Sequence, residues 1–146
     1  MSDKLTFTLH ELVSEIDASA DEVLRDRYGV TGPTFVFLAT CADVEPTDIT
    51  TLARCLGVTK AAVSKRVPAL VAEGWITTAG DPAHGRRVML SLTERARDLV
   101  DRAGRDLDQH FTAMLADPRA AAIDAAVLNA QLNTLVAILR EKGGRA

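Results

Sequence analysis

Aromatic side chains make up only 4% of this 146-residue chain, and cysteine occurs twice. Two thiols, Cys41 and Cys55, cannot supply the disulfide framework of a small secreted domain. No stretch approaches the roughly 20 apolar residues that a membrane span requires. Met1-Ser-Asp-Lys4 is charged and no apolar segment follows it, so no signal peptide is expected and the chain reads as cytoplasmic. The glycine patterns of a nucleophile elbow and of a phosphate-binding loop are absent, and no nucleophile–base or paired-carboxylate set stands out, so an enzyme is not expected. His10, Cys41 and His110 lie on separate segments with no ligand spacing between them, so neither a metal nor another cofactor is expected.

What is present is a chain 47% hydrophobic, with alanine and leucine supplying much of that share. Such a composition favours helices packed face to face. The length suits one domain, or one domain with a dimerisation extension. Net charge is −3, which alone argues against a nucleic-acid partner. The distribution argues otherwise. Between Arg54 and Thr93 six basic residues face two acidic ones, a local charge of +4. A basic module between acidic flanks is the footprint of a DNA reader with a separate scaffold.

Residues 48–93 give that module its form. Asp48 caps a short helix in which Ala53 is small enough for close approach of a second helix. Gly57 then takes the left-handed conformation of a tight turn. Thr59 caps the second helix, Val63 falls on its inner face, and Lys60, Ser64, Lys65 and Arg66 stand near its front, where a major-groove reader places its contacts. Helix pairs of this kind also occur as plain αα-hairpins. The hairpin that follows favours DNA. Asp81 to Gly85 is a turn-rich tip, Arg86 and Arg87 follow it, and Val88, Leu90 and Leu92 alternate as one face of a half-buried strand.

The flanks read as long helices. Leu9, Leu12, Val13, Ile16, Ala20, Val23 and Leu24 mark an amphipathic helix over 5–28 that stops at Gly29. Thr31 and Pro33 open a second helix, apolar and buried on most sides from Phe35 to Ala42, and residues 43–47 form a connection. Thr93-Glu94 caps a helix to about Ala116. Asp117-Pro118 breaks and restarts the chain as a last helix, ended by Gly143-Gly144. A winged module has its own small core and needs no such additions, so the outer helices point to a homodimer that matches a palindromic site.

Taken together, Leu52-Ala53 to Gly57-Val58, Val63-Ser-Lys65, Leu70 to Gly74-Trp-Ile76, and Asp81-Pro82 through Arg86 to Ser91-Leu92-Thr93 resemble the MarR family of bacterial transcriptional regulators over nearly the whole chain. The resemblance implies a mainly α fold with a small β-hairpin wing: a winged helix-turn-helix over 31–93 within a single domain of 1–146, with dimerisation helices over 5–28 and 94–142. It implies a triangular homodimer that binds double-stranded DNA and represses, releasing DNA on a small-molecule effector or on thiol oxidation. Carried over residue by residue, Ala61, Ala62 and Lys65 match positions facing bases or nearby phosphates. Thr59, Ser64 and Arg66 match positions that hold the DNA backbone, and Arg86 matches the wing-tip arginine of the minor groove. Lys60, His84 and Arg87 complete the DNA-binding set. The chain departs from the family pattern at His84, where an acidic residue usually orients the wing arginine, at Pro68 inside the recognition helix, where the family often has Asp, and at Ala96, where glycine is frequent. Pro68 leaves the Ser64 carbonyl without its usual amide partner and is expected to kink the helix.

An effector pocket between the dimerisation helices and the winged module would be lined by Tyr28, Phe35, Phe37, Trp75 and Phe111, each equally at home in an ordinary core. Two other readings stay open. One is a thiol-based redox-sensing regulator, although neither Cys41 nor Cys55 has an evident cationic pocket. The other is a helical protein-interaction module without DNA binding, which a weak salt dependence would reveal.

Overall fold

The computed structural model describes residues 4–143. The chain divides between Leu107 and Asp108 into two compact units. In the first, helix α1 spans Leu5–Tyr28 and stops at Gly29, whose φ of 66° is left-handed and whose amide closes on the Arg25 carbonyl. Among its residues only Leu24 is buried; Leu5, Phe7, Leu12 and Val13 stay exposed.

Helix α2 spans Gly32–Val44, with the Thr34 amide donating to Thr31 Oγ1 at 3.3 Å. It runs past Ala42, so the expected connection shrinks. Nothing in Asp43-Val44 breaks a helix, and it is Pro46 that forces Glu45 into its extended conformation. Nor is the helix buried on most sides: Phe37, Leu38 and Cys41 are enclosed, while Val36 is 53% exposed.

Strand β1, Thr47–Asp48, was not legible in the sequence. It pairs antiparallel with β3 (His84–Leu92), which also pairs with β2 (Ile76–Asp81), giving the order β1-β3-β2. Between β1 and β2 lie α3 (Ile49–Leu56) and α4 (Lys60–Ala72). Asp48 Oδ1 accepts from the Thr51 amide at 2.7 Å, and Thr59 Oγ1 from the Ala62 amide at 3.1 Å. Gly57, at φ 68°, makes the turn between the two helices. Leu52, Ala53, Val63 and Leu70 are their buried residues. Helix α4 continues through Pro68 to Ala72 without a break. Ser64 and Pro68 are both exposed, so water can take the carbonyl that the proline leaves unpaired.

The wing alternates only at its base. Leu90 and Leu92 are buried, but Val88 is 41% exposed, because the strands leave the core before reaching it. A register irregularity at Gly80/Asp81 marks the approach to the tip. Thr93 Oγ1 donates to the Gly74 carbonyl at 2.7 Å and accepts from the Ala96 amide at 3.2 Å, so one hydroxyl ties the end of the wing to the start of α5 (Glu94–Leu115). Phe37, Leu24, Leu38, Leu52, Ile76 and Leu90 are the large enclosed side chains of this unit, each contributing about 1.5–3 kcal/mol by its burial.

In the second unit Pro118 does not restart a long helix. It opens a single 3-10 turn, Pro118–Ala120, closed by the Arg119 amide on Asp117 Oδ1 at 2.9 Å. Helix α6 begins only at Ala125, where Asp124 Oδ1 accepts from the Val127 amide at 3.1 Å, and ends at Lys142. Gly143 follows with φ −82°, not left-handed, and Gly144 lies outside the described residues. None of the α6 residues is buried, and Val127, Leu135 and Leu139 are among those that show their apolar faces to solvent.

Candidate nucleic-acid interface

The front of α4 is open. Lys60, Ala61, Ala62, Ser64 and Lys65 are exposed, while Val63 beneath them is buried and fixes which face looks out. Thr59 is exposed too, although its hydroxyl is engaged in capping the helix. Arg66 departs from expectation. Instead of reaching forward it folds back on α2: Nη1 donates to the Pro33 carbonyl at 3.4 Å, Nη2 donates to Thr34 Oγ1 at 3.3 Å, and the guanidinium lies 5.1 Å from the Phe37 ring centroid.

In the wing, Arg86 and His84 are exposed. Among the described residues Lys60, Lys65 and Arg86 belong to no ion pair. Arg87 is held, with Nε 3.3 Å from Asp48 Oδ2 and Nη1 3.7 Å from Asp81 Oδ2. Asp48 therefore serves twice, as the cap of α3 and as an anchor of the wing. The Thr51 amide and hydroxyl, with Arg87, keep its carboxyl below the usual range. Asp81 shapes the tip, its Oδ1 accepting from the Ala83 amide at 2.9 Å. The carboxylate that His84 does not provide thus comes from Asp81, and it reaches Arg87 rather than Arg86. Between α3 and the wing lies an open cleft of about 440 Å³, lined in part by Asp48, Thr50, His84, Arg86 and Arg87.

A second cleft, of about 670 Å³, lies among α1, α2 and α4 and also touches Leu107. Phe35 and Phe37 line it. Tyr28 and Trp75 do not, and Phe111 belongs to the second unit. Each has another role or setting. Tyr28 donates its hydroxyl to Asp106, which holds the Asp106 carboxyl down and the phenol up. Trp75 is buried, its Nε1 donating to Glu73 Oε2 at 3.1 Å, and the Arg95 guanidinium lies 3.8 Å from the ring centroid. Phe111 is 40% exposed. No local signal in the chain places Arg66 on the wall of this cleft, because its partners lie on a helix remote in the chain.

Cys41 is buried and Cys55 exposed. Burial, then the Glu45 carboxylate, pushes the Cys41 thiol up to about 11. Among the described residues no three His, Cys, Asp or Glu side chains form a group that could hold a metal, and no helix is long and apolar enough to cross a membrane.

A helix pair with an open second helix, followed by an antiparallel hairpin with a basic tip, defines a winged helix-turn-helix protein. Residues 28–87 match the model described as the MarR family. Similar solved structures are transcriptional regulators. The transcriptional regulator BldR from Sulfolobus solfataricus is 22% identical, with a TM-score of 0.76 over 91% of this chain and 92% of that one. A cysteine-to-serine mutant of MarR from E. coli, complexed with operator DNA, is 22% identical, with a TM-score of 0.74 over 90% of this chain and 92% of that one. CouR from Rhodococcus jostii RHA1, bound to p-coumaroyl-CoA, is 21% identical, with a TM-score of 0.74 over 93% of this chain and 92% of that one. No curated protein sequence matches the chain significantly.

Proposed function

We propose that the chain is a cytoplasmic transcriptional repressor that binds a palindromic operator as a homodimer and leaves it when a small molecule occupies the cleft beside α2. The observation that carries this reading is the open front of α4, with Lys60 and Lys65 unpaired above the buried Val63. Lys65, Ala61 and Ala62 meet the major groove, Thr59 and Ser64 the adjoining backbone, and Arg86 with His84 the minor groove. The operator DNA bound by the E. coli MarR mutant supports the DNA partner, and the p-coumaroyl-CoA held by CouR supports a small-molecule one.

The homodimer is supported by apolar surface with nothing to cover it in one chain. On α1 this is Leu5, Phe7 and Val13; in the second unit it is Ile123, Val127 and Leu139, each at least 50% exposed. Exposed surface of this kind marks an interaction site. Recovery of DNA fragments bound by the protein from its own genome, followed by titration of the recovered site against a scrambled duplex, tests the reading. Equal affinity for both duplexes, or a single-chain mass by light scattering at low micromolar concentration, would refute it.

A further inference from the structure

The outward face of α4 is poor in side chains that read a base by paired hydrogen bonds. In the major groove guanine takes Arg or Lys, adenine takes Asn or Gln, and cytosine takes Glu or Asp. Helix α4 contains no Asn, Gln, Asp or Glu, and its one arginine is turned onto α2, so only lysine remains of that set. At helical spacing Ala61, Ser64, Lys65 and Pro68 share one line, opposite the buried Val63 and Leu70, and all four are exposed. Ala62 stands at the edge of that face, where it also borders the cleft beside α2. The line therefore has an apolar group at each end, the Ala61 methyl and the Pro68 ring, with Ser64 and Lys65 between them. The helix runs through Pro68 unbroken, so the ring stays on the line, and it offers DNA no hydrogen-bond donor.

We propose that Ala61 and Pro68 read the 5-methyl groups of two thymines in the major groove of each operator half-site. The inference rests on the reading of α4 as the recognition helix and adds which bases it selects. Thymine alone presents a methyl group in that groove, and apolar side chains are its partners. Contact with Ala61 or Pro68 takes the methyl out of water. The amino group of adenine or cytosine at either place would instead face carbon and lose its hydrogen bond. Helix geometry sets the spacing. Ala61 and Pro68 are seven residues apart, or about 10.5 Å along the axis, which matches about three base steps of roughly 3.4 Å when the helix lies along the groove. The two thymines therefore stand about three steps apart, with Ser64 and Lys65 over the steps between them.

The test uses the full chain to select a duplex from a random library. Each thymine of the selected duplex is then replaced in turn by deoxyuridine, which pairs alike but lacks the methyl group. Affinity is expected to fall about fourfold at each of two positions per half-site, the worth of one buried methyl. Ala61→Gly should abolish the fall at one position and Pro68→Ser at the other, each leaving its neighbour intact. The readout is the ratio of affinities for the thymine and uracil duplexes, which a general loss of stability or of phosphate contacts does not move. Ala61→Ser covers a failure of Ala61→Gly to fold, since serine disturbs a helix less than glycine, and it should shrink the same ratio. The methyl group lies in the major groove, so wing contacts in the minor groove do not enter the scan. A flat scan, or falls that persist in the variants, overturns the assignment and leaves selectivity to Lys65 or to DNA shape, with operator binding intact. If no duplex is enriched over random DNA, the reading of α4 as a recognition helix fails, and the assignment fails with it.

Discussion

Salt titration counts the cations that touch DNA, and here the two ways of counting differ widely. A protein that neutralises Z phosphates loses affinity with a log–log slope of about −0.9Z on B-form DNA. The sequence places Lys60, Lys65, Arg66, Arg86 and Arg87 at the interface, which for two protomers gives a slope of about −9. The structure withdraws two of the five. Arg66 is turned onto α2, and Arg87 is paired with Asp48 and Asp81. The three that remain predict a slope of about −5 for the dimer, or roughly three decades of affinity over a fourfold rise in salt, against more than five decades for the full set. Fluorescence anisotropy with a labelled operator duplex at several potassium chloride concentrations reads the slope directly. Lys65→Ala and Arg86→Ala should each flatten it by about two units in the dimer, and Arg87→Ala should leave it unchanged. A wild-type slope near the steeper value, or a flatter slope in Arg87→Ala, would show that the ion pairs of Arg87 yield to phosphate and that the count is wrong.

Lys65→Ala should weaken operator binding by about 1–3 kcal/mol, whereas Arg86→Ala should lose affinity for operator and scrambled duplex alike; wild-type binding by the latter would mean that the wing does not touch DNA. At pH 8 iodoacetamide should label Cys55 and spare Cys41, whose thiol stays protonated until about 11; two labels per folded chain by mass spectrometry would contradict this. The carboxyls of Asp21, Asp48 and Asp106 are held below their ordinary range, so their stabilising effect is present above about pH 4 and lost as pH falls through their folded values. Thermal melts from pH 7 to pH 3 should show that loss, and Asp21→Asn, which keeps an acceptor for the Gly32 amide but no charge, should shrink it; an unchanged acid limb would remove Asp21 from the account. Leu52→Ala should cost about 2–5 kcal/mol in a denaturant melt, since Leu52 is fully enclosed.

Local chemistry was legible from the chain alone. Thr31, Asp48 and Thr59 cap where their side chains and positions require, and Gly29 and Gly57 turn left-handed because the helices end there. What escaped were relations between segments far apart in sequence. No local signal pairs Thr47 with Leu90, brings Asp48 to Arg87, or folds Arg66 onto Pro33. The aromatic residues show the same limit: five stood as candidates to line a pocket, but only packing separates Phe35 and Phe37 from Tyr28, Trp75 and Phe111. Pro118 was misjudged for a different reason. Its fixed φ suits a 3-10 turn as well as the start of an α-helix, and the long helix takes its cap from Asp124, six residues later.

The chain's single tryptophan sits where α4 gives way to β2, under the Arg95 guanidinium and hydrogen-bonded to Glu73. Its emission is therefore a built-in optical gauge of that junction, free of background from any second indole. A movement that slides the wing or turns the recognition helix alters the charge above the ring and changes its fluorescence. Unlabelled operator and unlabelled ligand can then be followed in one cuvette, each through the protein's own light.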